Sequence, residues 1–223
     1  VSEAFILANT AAAEAPLVPG ITLRLASEIT PIWQASEDWL RQAGIAPPFW
    51  AFAWPGSQAL ARHVLDHPET VAGRRVLDFA AGCGLAAIAC ARAGAARVEA
   101  AEIDPLAIAA IGLNARHNAT DIVTLPGDIV GSACRWDLIL CGDVCYEAPM
   151  TAHILPWLRR MAASAEVWIA DPGRAYVPRG AMTPFARMQV PTTLELEDRA
   201  TREVVLYRLG AASPEDDAAT QPG

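Results

Sequence analysis

The run Val76-Leu77-Asp78-Phe79-Ala80-Ala81-Gly82-Cys83-Gly84 (VLDFAAGCG, 76–84) decides the fold. A short apolar strand-like stretch ends in a glycine turn, and the helical stretch Leu85 to Arg92 follows, closed by Gly94. Glycines in such a turn let the backbone approach a ligand closely, and the helix start presents free N–H groups to it. Gly82, Gly84 and Ala87 satisfy the G-x-G-x-x-A pattern, and an acid, Glu102, stands about 20 residues further on. Alone, that pattern is shared by NAD enzymes and by S-adenosylmethionine enzymes.

Outward from the turn the pattern alternates. VEAAEI (98–103) reads as a strand, Asp104-Pro105 opens a helix reaching about His117, and strand-like runs recur at 121–125, 136–141 and 167–170. A helical stretch lies between Ala148 and Ala163. Upstream, Thr30-Pro31 opens a helix to Gly44 by the cap-then-proline signal. Pro47 and Pro48 stop it, Phe49, Trp50, Phe52 and Trp54 follow, and a second helix runs from about Ser57 to Leu65. Strands alternating with helices predict a parallel sheet covered on both faces. The last strands, near 192–198 and 203–209, are expected to pair as an antiparallel hairpin. Residues 1–20 carry no clear period and form an N-terminal segment, 21–210 one α/β domain, and 211–223 a disordered acidic tail.

Composition removes whole classes of function. All 17 basic residues are Arg, against 25 acidic residues, for a net charge of −8. The absence of lysine rules out a lysine Schiff base and a P-loop lysine. No basic block exists to track a phosphate backbone, so nucleic acid is not an expected partner. No apolar run approaches the roughly 20 residues of a membrane span. The five cysteines (83, 90, 134, 141, 145) are odd in number and lack a CxxC, which suits a reduced compartment. The first basic residue is Arg24, so neither a signal nor a transit peptide is expected. A cytoplasmic protein fits, and a mature mitochondrial form would read the same way.

Two acids tilt the nucleotide choice. Asp78 ends the first strand ahead of the glycines, where a carboxylate can fix an ammonium group but would face a pyrophosphate unfavourably. Glu102 ends the second strand, positioned to accept two hydrogen bonds from a ribose diol. In the competing reading, Asp78 and Asp104 are helix caps and Glu102 a solvated strand end. Asp128 in GDI (127–129) could accept from an exocyclic adenine amine with Ile129 against the ring, or could be a turn residue.

The segments PPFWAFAWPGSQALARHVLDHP (47–68), VLDFAAGCG, AAEIDP, GDVCYE (142–147) and ADPGR (170–174) resemble the seven-β-strand protein lysine methyltransferases of family 16. Within that family the chain is most similar to the electron transfer flavoprotein β-subunit lysine methyltransferases, over roughly residues 21–209. WPG with QAL, the DxxY from Asp143 to Tyr146, and DPGR carry the specificity. The resemblance implies a Rossmann-like class I methyltransferase, with N-terminal helices, a seven-stranded mostly parallel sheet and a final strand inserted antiparallel. It implies S-adenosylmethionine as donor and a protein lysine as acceptor, with the electron transfer flavoprotein β subunit as the expected substrate and no metal. Cofactor contacts are implied for Trp54, Asp78, Ala80, Gly82, Gly84, Glu102, Ile103, Asp128 and Ile129. Asp143 and Tyr146 are implied as the catalytic pair, Trp50 and Arg174 as substrate contacts. One departure is Ala80, which stands where the family's turn has its first glycine; alanine fits there if its φ is negative.

The chemistry suits these residues. Methyl transfer needs two groups positioned in line and water excluded. Presenting a neutral lysine at pH 7 costs about 4.6 kcal/mol, which burial beside a positive sulfonium reduces. A carboxylate at Asp143 steers the lysine in and holds an N–H while the lone pair faces the methyl, with Tyr146 flanking the channel. In the competing reading Asp143 merely caps the next turn and Tyr146 is core. Trp50 and Trp54 could close over the cofactor's methionine end, where an aromatic face attracts the sulfonium; paired aromatics are also ordinary core. Pro172-Gly173-Arg174 is expected to hold Arg174 on the rim. His63 and His67 lack a zincin glutamate and read as helix surface, and Cys141 and Cys145 as small buried fillers. The alternative reading is a methyltransferase with another acceptor, such as a ribosomal or other protein or a small molecule.

Overall fold

The computed structural model describes residues 2–27, 32, 47–192 and 199–211. The helix read from Thr30 to Gly44 lies outside them. Helix α1 (Ser2–Asn9) leads into β1 (Ala11–Ala15) and β2 (Val18–Leu25), a separate two-stranded antiparallel sheet. Regular structure therefore occupies residues whose sequence shows no period, and residue 20 falls inside β2. Tertiary contact supplies what propensity lacks: Asn114 Oδ1 accepts from Arg24 N at 2.8 Å, and Asn118 exchanges bonds with the backbone of Thr22.

The large sheet comprises β3 (Arg75–Phe79), β4 (Arg97–Glu102), β5 (Val123–Pro126), β6 (Leu138–Gly142), β7 (Glu166–Asp171), β8 (Met182–Pro191) and β9 (Thr201–Leu209). Their spatial order is β5-β4-β3-β6-β7-β9-β8, with β3 to β7 parallel and β9 inserted antiparallel between β7 and β8. The partner of the last strand is thus β8, not the stretch near 192–198, of which 193–198 lie outside the described residues. Pro184 and Pro191 hide β8 in the sequence; at a sheet edge a missing N–H is tolerated.

Period-two alternation splits the core. Val76, Leu138, Leu140, Trp168 and Ala170 face one side, Leu77, Ile139, Cys141, Val167 and Ile169 the other. The first side takes α2 (Pro55–Asp66) and α3 (Leu85–Arg92); α4 (Pro105–His117) packs beside β4 and β5. The second side takes α5 (Ala148–Met161), which buries Ile154, Trp157 and Leu158. Every parallel strand ends at the same edge, so the turns after β3, β4, β5, β6 and β7 converge there.

Candidate active site

Beyond those strand ends lies a cavity of about 510 Å³, a size suited to a small-molecule ligand. The turn residues Ala80 and Gly82 line it, as do Glu102 and Ile103 after β4 and Asp128 and Ile129 after β5. Asp143, Tyr146, Trp50, Trp54 and Arg174 complete the group of expected residues on its wall. Asp78 and Gly84 are not on it.

Alternation explains Asp78. Like Val76 it points toward α3, where it is buried and its Oδ2 accepts from Ala87 N at 2.9 Å. It serves the start of α3 from behind the turn, as the competing cap reading has it. Burial pushes its carboxyl up to about 7, against the lowering effect of that hydrogen bond. Gly84 (φ +79) is the cap residue of α3, and a side chain there would press on Ile111 at 3.2 Å.

Ala80 has φ +55, opposite in sign to what a comfortable alanine requires. An L-residue in the left-handed region is strained by about 1–2 kcal/mol. The turn holds a left-handed residue at this position, and the cost falls on Ala80 itself. Asp143 shares the feature at φ +56; strained non-glycine backbone tends to cluster at functional sites.

Glu102 is no solvated strand end. Its carboxylate accepts from Gly82 N at 3.2 Å and Ile103 N at 2.8 Å, tying β4 to the glycine turn. Burial raises its carboxyl above the usual range despite those bonds. Asp104 caps α4 by accepting from Leu106 N at 2.8 Å. Ile103 is 73% exposed where it lines the cavity, an apolar face that a flat ring would cover. Asp128 accepts from Val130 N at 2.9 Å and pairs with His153 of α5 at 2.7 Å, which together hold its carboxyl below the usual range. His153 escaped the sequence reading: it lies 25 residues from Asp128, and no local spacing joins them.

Asp143 sits where β6, β7 and α2 meet. Its Oδ2 accepts from Gly56 N at 2.5 Å, and its Oδ1 from Arg174 Nε at 3.1 Å and Nη2 at 2.8 Å. The WPG, DxxY and DPGR motifs therefore join in one cluster. Only glycine fits at 56, since a Cβ there would lie 2.6 Å from Asp143 Oδ2 and 2.9 Å from Ala170 O. Arg174 is not a rim residue: its side chain is 21% exposed and pairs with Asp143. Asp171 fixes that placement by accepting from Gly173 N and Arg174 N.

The aromatics divide. Trp50 is buried in a small cluster with Ile6, Ala107 and Ala110 and meets the cavity only at its wall. Trp54 donates to Phe49 O at 2.8 Å, and Phe49 packs against Trp54 and Tyr146 with centroids 6.0 and 5.8 Å away. Phe49 thus bridges two expected residues, a role its place among four nearby aromatics did not single out. Burial raises the Tyr146 phenol, which keeps its proton at neutral pH. Burial likewise raises the thiols of Cys83 and Cys145, to about 12 and about 11, so neither is a nucleophile. His63 is half-buried against His67, Trp168 and Phe185. Among the described residues no group of three potential metal ligands occurs, and no helix is long and apolar enough to cross a membrane.

The residues fit a sulfonium nucleoside: Glu102 offers oxygens at ribose depth, Ile103 and Ile129 an apolar slot, Asp128 a carboxylate at its end. Comparison with known proteins agrees. The family model described as ribosomal protein L11 methyltransferase (PrmA) matches residues 59–144. The electron transfer flavoprotein beta subunit lysine methyltransferase of Xenopus laevis is 42% identical over 77% of this chain and 70% of its own length. The Danio rerio protein of that name is 34% identical over 92% of this chain and 81% of its own length. Among solved structures, Trm5b from Pyrococcus abyssi aligns with a TM-score of 0.56 at 15% identity, covering 91% of this chain and 56% of that one. The magnesium protoporphyrin IX methyltransferase of Synechocystis, with S-adenosylmethionine bound, aligns at 0.53 and 15% identity over 69% of this chain and 79% of its own. These last two speak to the fold alone.

Proposed function

The chain belongs to the electron transfer flavoprotein beta subunit lysine methyltransferase family, and from that premise we propose that it methylates lysine side chains of an electron transfer flavoprotein β subunit at Asp143. It is an S-adenosylmethionine-dependent protein lysine methyltransferase. The donor supplies an electrophilic methyl on a sulfonium; the N–C bond forms as the C–S bond breaks, and the electron pair stays on sulfur. The protein's own part is placement. Glu102 would hold the ribose diol, Ile103 and Ile129 would offer apolar faces to the adenine, and Asp128 would accept from its amine. The glycine turn, held to β4 by the bond from Gly82 N to Glu102, would lie against the methionine end, and Asp78 acts through the start of α3. Phe49, Trp54 and Tyr146 wall the channel and exclude water. Asp143, immobilised by Gly56 and Arg174, accepts a hydrogen bond from the incoming amine and aims its lone pair.

One observation supports this reading most: three motifs separated in sequence meet on a single carboxylate at the cavity wall. The ribosomal-protein alternative rests on the match at 59–144, which holds the cofactor turn but neither Phe49 and Trp54 nor Arg174. The five free cysteines, four of them buried, support a reducing compartment, and we place the protein in the cytoplasm. Because the chain has no lysine, label from methyl-tritiated donor on any lysine belongs to the acceptor. Incubation with purified electron transfer flavoprotein, and separately with ribosomal protein L11, is expected to label lysines of the β subunit. Label on L11 alone would replace this assignment.

A further inference from the structure

We propose that Arg174 sets the protonation state of the acceptor, its charge making the neutral amine the form that occupies the site. The inference rests on Asp143 being the acceptor-orienting group, as above.

An unpaired carboxylate would draw in the ammonium form and hold it there, raising the lysine pKa and disabling the nucleophile. In this structure the Asp143 carboxylate is already engaged. Arg174 donates two hydrogen bonds to one oxygen, and the N-terminus of the 12-residue helix α2 donates Gly56 N to the other. Guanidinium is charged at every working pH and cannot itself pass a proton. Both partners are largely withdrawn from water, at 21% and 8% side-chain exposure, so the charge acts with little screening. The buried Asp171 carboxylate clamps the turn that carries Arg174, so the cation is built in.

Other groups share the surroundings. Glu102, Asp104 and Asp128 come from the strand ends, Tyr146 and His153 from the α5 side. Cys145 and Asp171 lie behind Asp143 and feel its charge or act beside it. With Arg174 beside Asp143, the carboxylate still accepts one N–H from a neutral amine but offers no net negative charge to retain an ammonium. The ammonium sheds its proton to water as it enters the site, where the Arg174 charge disfavours the protonated form; its lone pair then forms the N–C bond as the C–S bond breaks, and the methylammonium product loses its extra proton to water on leaving.

The test is single-turnover methylation of electron transfer flavoprotein with enzyme and labelled donor in excess, from pH 6.5 to 9.5. For the native chain the rate constant should rise to a plateau. In Arg174→Gln the midpoint should move up by at least one pH unit, with a tenfold or greater loss at pH 7 that recovers toward pH 9.5. Arg174→Lys, which keeps the charge but loses the fork, should retain the native midpoint. An unmoved midpoint in Arg174→Gln with a lower plateau means Arg174 only positions Asp143, and overturns the inference. If Arg174→Gln is inactive throughout, Arg174→Lys decides: a native midpoint upholds the inference, and equal inactivity overturns it. No methylation of the flavoprotein by the native chain would instead overturn the assignment of function, and this inference with it.

Discussion

At the amino ends of the parallel strands, Glu99 accepts from Arg97, Arg135 and Trp136, and Glu166 from Arg74, Arg208 and Trp168. Burial alone would raise both carboxyls, but those hydrogen bonds outweigh it and hold them below the usual range. At the carboxyl ends, Asp78 and Glu102 have backbone N–H partners alone among the described residues, and burial wins, raising both. Glu99 and Glu166 are thus stabilised as anions and Asp78 and Glu102 strained toward neutrality, while Asp128, also at the carboxyl edge, is held as an anion by Val130 N and His153. Of the three described non-glycine residues with positive φ, Ala80 and Asp143 stand at the carboxyl edge, and Ala119 stands between α4 and the start of β5. One edge holds the sheet together; the other spends stability on a site.

The largest effect should come from Asp143→Ala. Transfer is expected to fall at least about a thousandfold, while S-adenosylmethionine affinity by isothermal titration stays within a few-fold. Unchanged turnover would remove Asp143 from the chemistry. Gly56→Ala, whose added carbon meets backbone atoms at under 3 Å, should cost roughly 3 kcal/mol in urea unfolding. Gly180→Ala, with open space around it, is the neutral control.

The edges should also answer pH with opposite signs. Asp78 is raised, so the native fold holds its proton more tightly than the unfolded chain does. Stability is unaffected below about pH 4 and is lost as pH rises toward 7. Asp78→Asn should therefore match the native chain at pH 4 and exceed it by roughly 2 kcal/mol at pH 8. Glu99 is lowered, so its stabilisation is present above about pH 4.5 and lost below. Glu99→Gln should cost about 1 kcal/mol at pH 7, and that cost should shrink as pH falls below about 4.5. Parallel pH profiles for the two variants would erase the contrast. The smallest effect is Ala80→Gly, expected to gain about 0.5 kcal/mol in thermal unfolding, because relief of the left-handed strain slightly exceeds glycine's entropy cost. A loss there would mean that the turn is not strained.

Much of this site was readable because its signals are local. A glycine turn between a strand and a helix, acids at strand ends, and a proline after a cap each declare themselves within a few residues. Asp78 is the instructive case: its place at a strand end was legible, but strand alternation aims it at α3, off the cavity wall. Pro184 and Pro191 concealed β8, because whether a strand is an edge depends on its neighbours.

Sequence alone determined the alternation of strands and helices from β3 to β7, the glycine turn and the acids that follow it, since backbone propensity and side-chain period act over short range. Tertiary structure decided the meeting of Gly56, Asp143 and Arg174, the pairing of His153 with Asp128, and the sign of each carboxyl's shift. Those depend on which groups are brought close and kept from water, and neither distance through space nor burial is written in local sequence.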